Sequence, residues 1–125
     1  MAVLKTLEEY FMALPAIEKK LAAETLARYC ESRIPAHARE QVRMGYRFRG
    51  NSATLYEERA PHTGGCVLVD IVVAQFRYDE KTKLWTLYCA DRNSNWHLYD
   101  EVEPAKSIQT LVDEVEEDPT GIFWG

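Results

Sequence analysis

At 125 residues and 46% hydrophobic side chains, the sequence has the size of one packed domain and is too apolar for an intrinsically disordered tail. A net charge of −5 argues against broad nucleic-acid affinity. No apolar run approaches membrane-spanning length, and the amino terminus lacks a signal-peptide pattern, so the expected location is cytoplasmic with no membrane partner. Cys30, Cys66 and Cys89 form an odd set without a Cys-x-x-Cys pair, which predicts free buried thiols.

Leu4, Leu7, Phe11 and Leu14 recur at helical spacing until Pro15, which predicts a short amphipathic helix as an extension over 1–15. A second helix is expected from about residue 16 to 33, with Ala22, Leu26, Tyr29 and Cys30 on one face and Ile17 and Leu21 widening it. Ile34-Pro35 stops it, because proline pushes the preceding residue out of helical geometry. Within a single domain over 1–125, residues 16–41 are then helix and linker, 42–100 an antiparallel sheet, and 104–125 an acidic helix with an apolar tail.

Gly50-Asn51 is a glycine-first two-residue turn that pairs Arg49 with Ser52 and fixes the hairpin beyond it. Phe48 then faces Ala53, Tyr46 faces Leu55 and Met44 faces Glu57, while Arg47 with Thr54 and Arg43 with Glu58 collect on the opposite surface. Two further strands are expected over 67–78 and 84–90. A loop over 79–82 would set Phe76 against Trp85, Ala74 against Leu87 and Val72 against Cys89, with Arg77, Gln75, Val73, Thr86 and Tyr88 on the reverse face. A turn at Asn93-Ser94, shaped by Asp91, leads to a last strand over 96–99 that would place Leu98 beside Cys89 and Tyr99 beside Tyr88. The result is an α+β fold: a five-stranded antiparallel meander with N-terminal helices and a C-terminal helix packed on one face.

Pro104 ends the sheet, Ser107 is placed as an N-cap, and Ile108, Leu111, Val112 and Val115 give the apolar stripe of the last helix. From residue 100 onward, Lys106 is the only base against eight acids. Glu114, Glu116, Glu117 and Asp118 crowd the carboxyl end of that helix, where the macrodipole is already negative. They face either solvent or basic side chains such as Arg43, Arg47, Arg49 or Arg77. Ile122, Phe123 and Trp124 close the chain, and Gly121 permits a turn that folds them back as an apolar plug on the domain.

With RFRGNS at 47–52, EER at 57–59, AQFRYD at 74–79, WTLYCADRNSNWHLY at 85–99 and DPTGIFWG at 118–125, the chain resembles a family of small bacterial proteins that carry a domain of unknown function. The likeness spans about 20–125. It implies a bacterial, cytoplasmic origin and a tail that belongs to the domain, and it brings no catalytic residues.

The sharpest constellation in the residues themselves is Arg43, Arg47, Arg49, Arg77, Tyr88, His97 and Tyr99, with Gln75 and Thr86 between them. Arginine forks grip phosphates or carboxylates and aromatic faces stack on bases, so such a sheet suits a protein or nucleic-acid partner; the bland alternative is a solvated face. A non-catalytic binding or regulatory module, without cofactor, is the leading expectation, and a homodimer is compatible with it. The alternative is a small metal-dependent hydrolase or nuclease built on Glu57, Glu58 and Asp70, although Gln75-Phe76-Arg77 matches a nuclease motif poorly. His62 and Cys66, with Cys89 or His97, do not have a recognised zinc spacing.

Overall fold

The computed structural model describes residues 14–34, 42–59 and 69–124. The first expected helix and the His62 and Cys66 loop lie outside these. The elements are α1 (Ala16–Arg33), β1 (Val42–Arg49), β2 (Ser52–Arg59), β3 (Val69–Asp79), β4 (Leu84–Ala90), β5 (Trp96–Leu98) and α2 (Ile108–Glu117). The strands form one five-stranded antiparallel meander in the order β1-β2-β3-β4-β5. Both helices cover the face that carries Leu55, Phe76, Trp85 and Leu87, so the fold is α+β with the other sheet face left open by the described residues. Neither helix is long and apolar enough to cross a membrane.

The β1–β2 hairpin has the expected register, from Arg49 opposite Ser52 to Arg43 opposite Glu58. The β3–β4 pairing does not. Phe76 stands opposite Leu87 and Ala74 opposite Cys89, because the loop runs over 80–83 and not 79–82. Lys83 closes that loop in a left-handed conformation, φ 60°, donating its N–H to the Asp79 carbonyl at 2.7 Å, while the Asp79 carboxylate accepts the Lys81 N–H at 2.9 Å. A shift by two residues preserves each side chain's face. A bulge at the β2–β3 pairing has a different effect: Leu55 pairs with Ala74 but Tyr56 with Val72. Val73, the extra residue, is only 5% exposed and belongs to the core, contrary to its expected place on the reverse face.

The β4–β5 turn produces the largest departure. Ser94 takes φ 63° and donates to the Asp91 carbonyl at 2.9 Å, and Asp91 donates to the Asn95 carbonyl at 2.9 Å, which makes a three-residue loop with a left-handed closing position. The pairs are therefore Ala90 with Trp96, Cys89 with His97 and Tyr88 with Leu98. This slip of one residue reverses every side chain of β5. Beyond β5, the Tyr99 N–H donates to the Leu87 carbonyl at 2.9 Å, and Ala105 exchanges two hydrogen bonds with Trp85 at 2.7 and 2.9 Å.

Ala22, Thr25, Leu26 and Tyr29 are the buried stripe of α1, whereas Ile17 and Leu21 are exposed and do not widen it as the spacing suggests. Ser107 caps α2 by accepting the Gln109 N–H at 3.2 Å, and Ile108, Leu111, Val112 and Val115 are buried. Asp118 ends α2 with φ 45°, and its carboxylate accepts the N–H groups of Phe123 at 3.0 Å and Trp124 at 2.8 Å. The tail is thereby turned back. Phe123 and Trp124 pack against the core, but Ile122 remains 49% exposed, so two of the three expected plug residues reach it.

The acids of α2 lie behind the sheet, away from the arginines of the open face. Glu116 pairs with Arg33 at 2.8 Å, Glu114 accepts the Tyr99 hydroxyl at 2.9 Å, and Asp113 accepts from Gln109 at 2.8 Å. Asp113, Glu116 and Glu117 are exposed, as a solvated acidic face requires, and the base that Glu116 meets is Arg33 of α1, not an arginine of the sheet.

Candidate functional site

Register fixes what the open sheet face presents, because residues directly opposite one another share a face. At the end nearest the β1–β2 turn, Arg49, Ser52, Arg77 and Thr86 form one row across four strands; the next row is Arg47, Thr54, Gln75, Tyr88 and Leu98. Arg43 stands further along, opposite Glu58, which is itself opposite Asp70. Five of the expected residues, Arg43, Arg47, Arg49, Arg77 and Tyr88, are thus brought together, with Gln75 and Thr86 between them.

His97 and Tyr99 are not among them. The one-residue slip puts His97 opposite Cys89, where its Nε2 lies 2.8 Å from the Asp91 carboxylate. That hydrogen bond, with those from the Asn95 and Asn93 N–H groups, holds the Asp91 carboxyl below the usual range. Tyr99 is 4% exposed, against Phe123 at 5.0 Å between ring centroids. Burial raises its phenol pKa. In their place the slip delivers Trp96, half-buried, and Leu98, 56% exposed, to the open face. Only the loop length distinguishes these outcomes, and the signal available in the sequence was Asp91 with Ser94, which permit the longer turn.

Two arginine–tyrosine stacks differ in how their charge is used. Arg47 lies over Tyr56, 4.9 Å from the ring centroid, and its guanidinium is 3.5 Å from the Asp70 carboxylate. Gly45 leaves the space in which Tyr56 lies: a Cβ there would come within 2.6 Å of the hydroxyl. Burial, then the charges of Glu58 and Asp70, raise the Tyr56 phenol pKa. Arg77 is closer to Tyr88, 3.8 Å from the centroid, and its Nε–H donates to the Gln75 side-chain oxygen at 2.7 Å. Gln75 in turn donates to Thr54 at 3.0 Å. Among the described residues neither Arg77 nor Arg49 has a carboxylate partner.

These two arginines line an open depression of about 950 Å³ together with Gln75, Thr86, Tyr88 and Trp96. Asp79, Glu80 and Lys81 form its rim at the β3–β4 turn. A second concavity of about 780 Å³ lies between α1 and α2, but Arg33 and Glu116 neutralise one another there. Beside it the Tyr29 hydroxyl and the Trp124 indole N–H are buried without hydrogen-bond partners among the described residues.

The carboxylates of the hydrolase alternative diverge. Glu57, 8% exposed, is on the helix-covered side and pairs with Arg59 at 3.0 Å, whereas its neighbour Glu58 is on the open side with Asp70. No group of three metal-ligating side chains occurs among the described residues. Cys30 and Cys89 are free thiols, and burial pushes the Cys30 thiol up to about 11.

A family model described as a domain of unknown function, DUF3024, matches residues 14–125. The chain belongs to the DUF3024 family. No curated protein and no solved structure matches it. The DUF3024 match begins at the last residue of the expected N-terminal helix and runs through the tail, so the turned-back Phe123 and Trp124 are part of the DUF3024 domain.

Proposed function

We infer that this domain is a non-catalytic binding or regulatory module that recognises an anionic protein or nucleic-acid partner on its open sheet face. The observation that carries this reading is Arg77. Held at Nε by Gln75 and laid on Tyr88, it keeps its terminal N–H groups for a ligand and has no acid partner among the described residues. Such a guanidinium has already lost much of its rotamer freedom, so less entropy is lost when it engages a phosphate or carboxylate. Arg49, in the same row, supplies a second cation. A bacterial, cytoplasmic setting belongs to this reading.

Anisotropy titration of a labelled oligonucleotide and a labelled polyglutamate peptide tests it. Binding of at least one probe is expected, and Arg49→Glu with Arg77→Glu abolishes it. Equal behaviour of wild type and the double variant would remove the face from consideration.

A further inference from the structure

We propose that the ligand of the open face is single-stranded nucleic acid, an assignment that rests on the binding-module reading and names its ligand class. Phosphates or carboxylates would satisfy Arg49 and Arg77 equally. What surrounds the two cations decides between them. Trp96, half-buried on the short edge strand β5, and the Arg77 guanidinium backed by Tyr88 both line the depression, and each offers a flat surface of the kind on which a base stacks. Thr86 lines the same depression with a hydroxyl that both donates and accepts, as the edge of a base requires and a run of carboxylates does not, while the Gln75 amide already serves Arg77 and Thr54.

Shape separates a strand from a free nucleotide. The depression is open along the sheet, whereas small-ligand pockets bury most of their ligand; a strand crossing the rows covers the platforms by its length. Net charge is the obstacle, and the fold removes part of it. Asp113, Glu114, Glu116 and Glu117 are on α2, behind the sheet and apart from the arginine face, whereas Glu58 and Asp70 share that face away from the row of Arg49 and Arg77. Asp79 and Glu80 at the rim repel phosphates from the β3–β4 turn and direct the backbone toward Arg49 and β1.

The experiment is an anisotropy titration of the full chain with an unstructured oligouridylate of about 12 nucleotides, run beside a polyglutamate peptide of equal length. Trp96→Ala is expected to weaken oligonucleotide binding roughly tenfold, with Trp96→Phe close to wild type. Arg77→Gln should reduce the slope of log affinity against log salt by about 0.7. Oligonucleotide binding that depends on Arg77 but is unchanged in Trp96→Ala, or binding of polyglutamate alone, overturns the nucleic-acid assignment and leaves the binding face standing. Binding of neither probe overturns both. Should Trp96→Ala melt early, Trp96→Leu, which keeps bulk without the flat ring, decides the stacking question.

Discussion

Arg33 and Trp124 hold the chain end against α1: the guanidinium carbon is 4.1 Å from the indole ring centroid, and the same guanidinium pairs with Glu116 on α2 at 2.8 Å. One side chain thereby joins the first described helix, the last helix and the tail. Its value lies in the apolar surface it keeps covered more than in the partly exposed ion pair.

Deletion of residues 121–125 removes Phe123 from Tyr99 and Trp124 from Arg33. The expected loss is about 3 kcal/mol, or ~10 °C in Tm, measured by denaturant and thermal unfolding. Unchanged stability would show that the tail is not part of the core.

Three non-glycine residues among those described, Lys83, Ser94 and Asp118, share a left-handed backbone, and their substitution by glycine should not have one outcome. Lys83→Gly relieves the Cβ strain at φ 60° and is expected to gain about 0.5 kcal/mol, since its side chain makes no hydrogen bond or ion pair among the described residues. Ser94→Gly behaves alike. Asp118→Gly relieves the same strain but removes the carboxylate that binds the Phe123 and Trp124 N–H groups, and a net loss of about 1 to 2 kcal/mol is expected. Equilibrium unfolding of the three variants checks the change of sign.

Gly45→Ala drives a methyl into the space of the Tyr56 ring. Because the ring is at the far end of a rotatable side chain, it can swing out, and stability should change by only about 1 kcal/mol. Arg47 then loses its aromatic support. Chemical-shift changes at Tyr56 and Arg47 without broad loss of signal dispersion would report this local outcome; global unfolding would contradict it.

Alkaline solution should destabilise the domain. Burial raises the pKa of Tyr29, Tyr78, Tyr99, Cys30 and Cys89, and Cys30 reaches about 11. Each group binds its proton more tightly folded than unfolded, so its contribution is complete below the unfolded values of about 8.5 to 10 and is lost as pH rises through the folded ones. Tm is expected to be flat from neutrality to about pH 8.5 and to fall steadily above it. Cys30→Ala should move the onset of that fall upward.

Local chemistry in the sequence determined much of this protein. The glycine-first turn dictated the β1–β2 register, because a two-residue hairpin leaves one way to pair its flanks. Ser107 and the stripe from Ile108 to Val115 dictated α2, because capping and helical periodicity act within a few residues. The arginines of β1 and β3 followed from alternation alone. Tertiary structure decided whatever depended on counting across a loop or between elements. Lys83 and Ser94 adopt a conformation that their residue types do not announce, and the single-residue slip it creates at β5 moved Tyr99 into the core and Trp96 onto the open face. The bulge that buries Val73, the meeting of Glu116 with Arg33, and the absence of any acid partner for Arg77 among the described residues arise in the same way. Side-chain direction alternates at every residue of a strand, so an error of one at a turn reverses a whole face, and only the packed sheet resolves it.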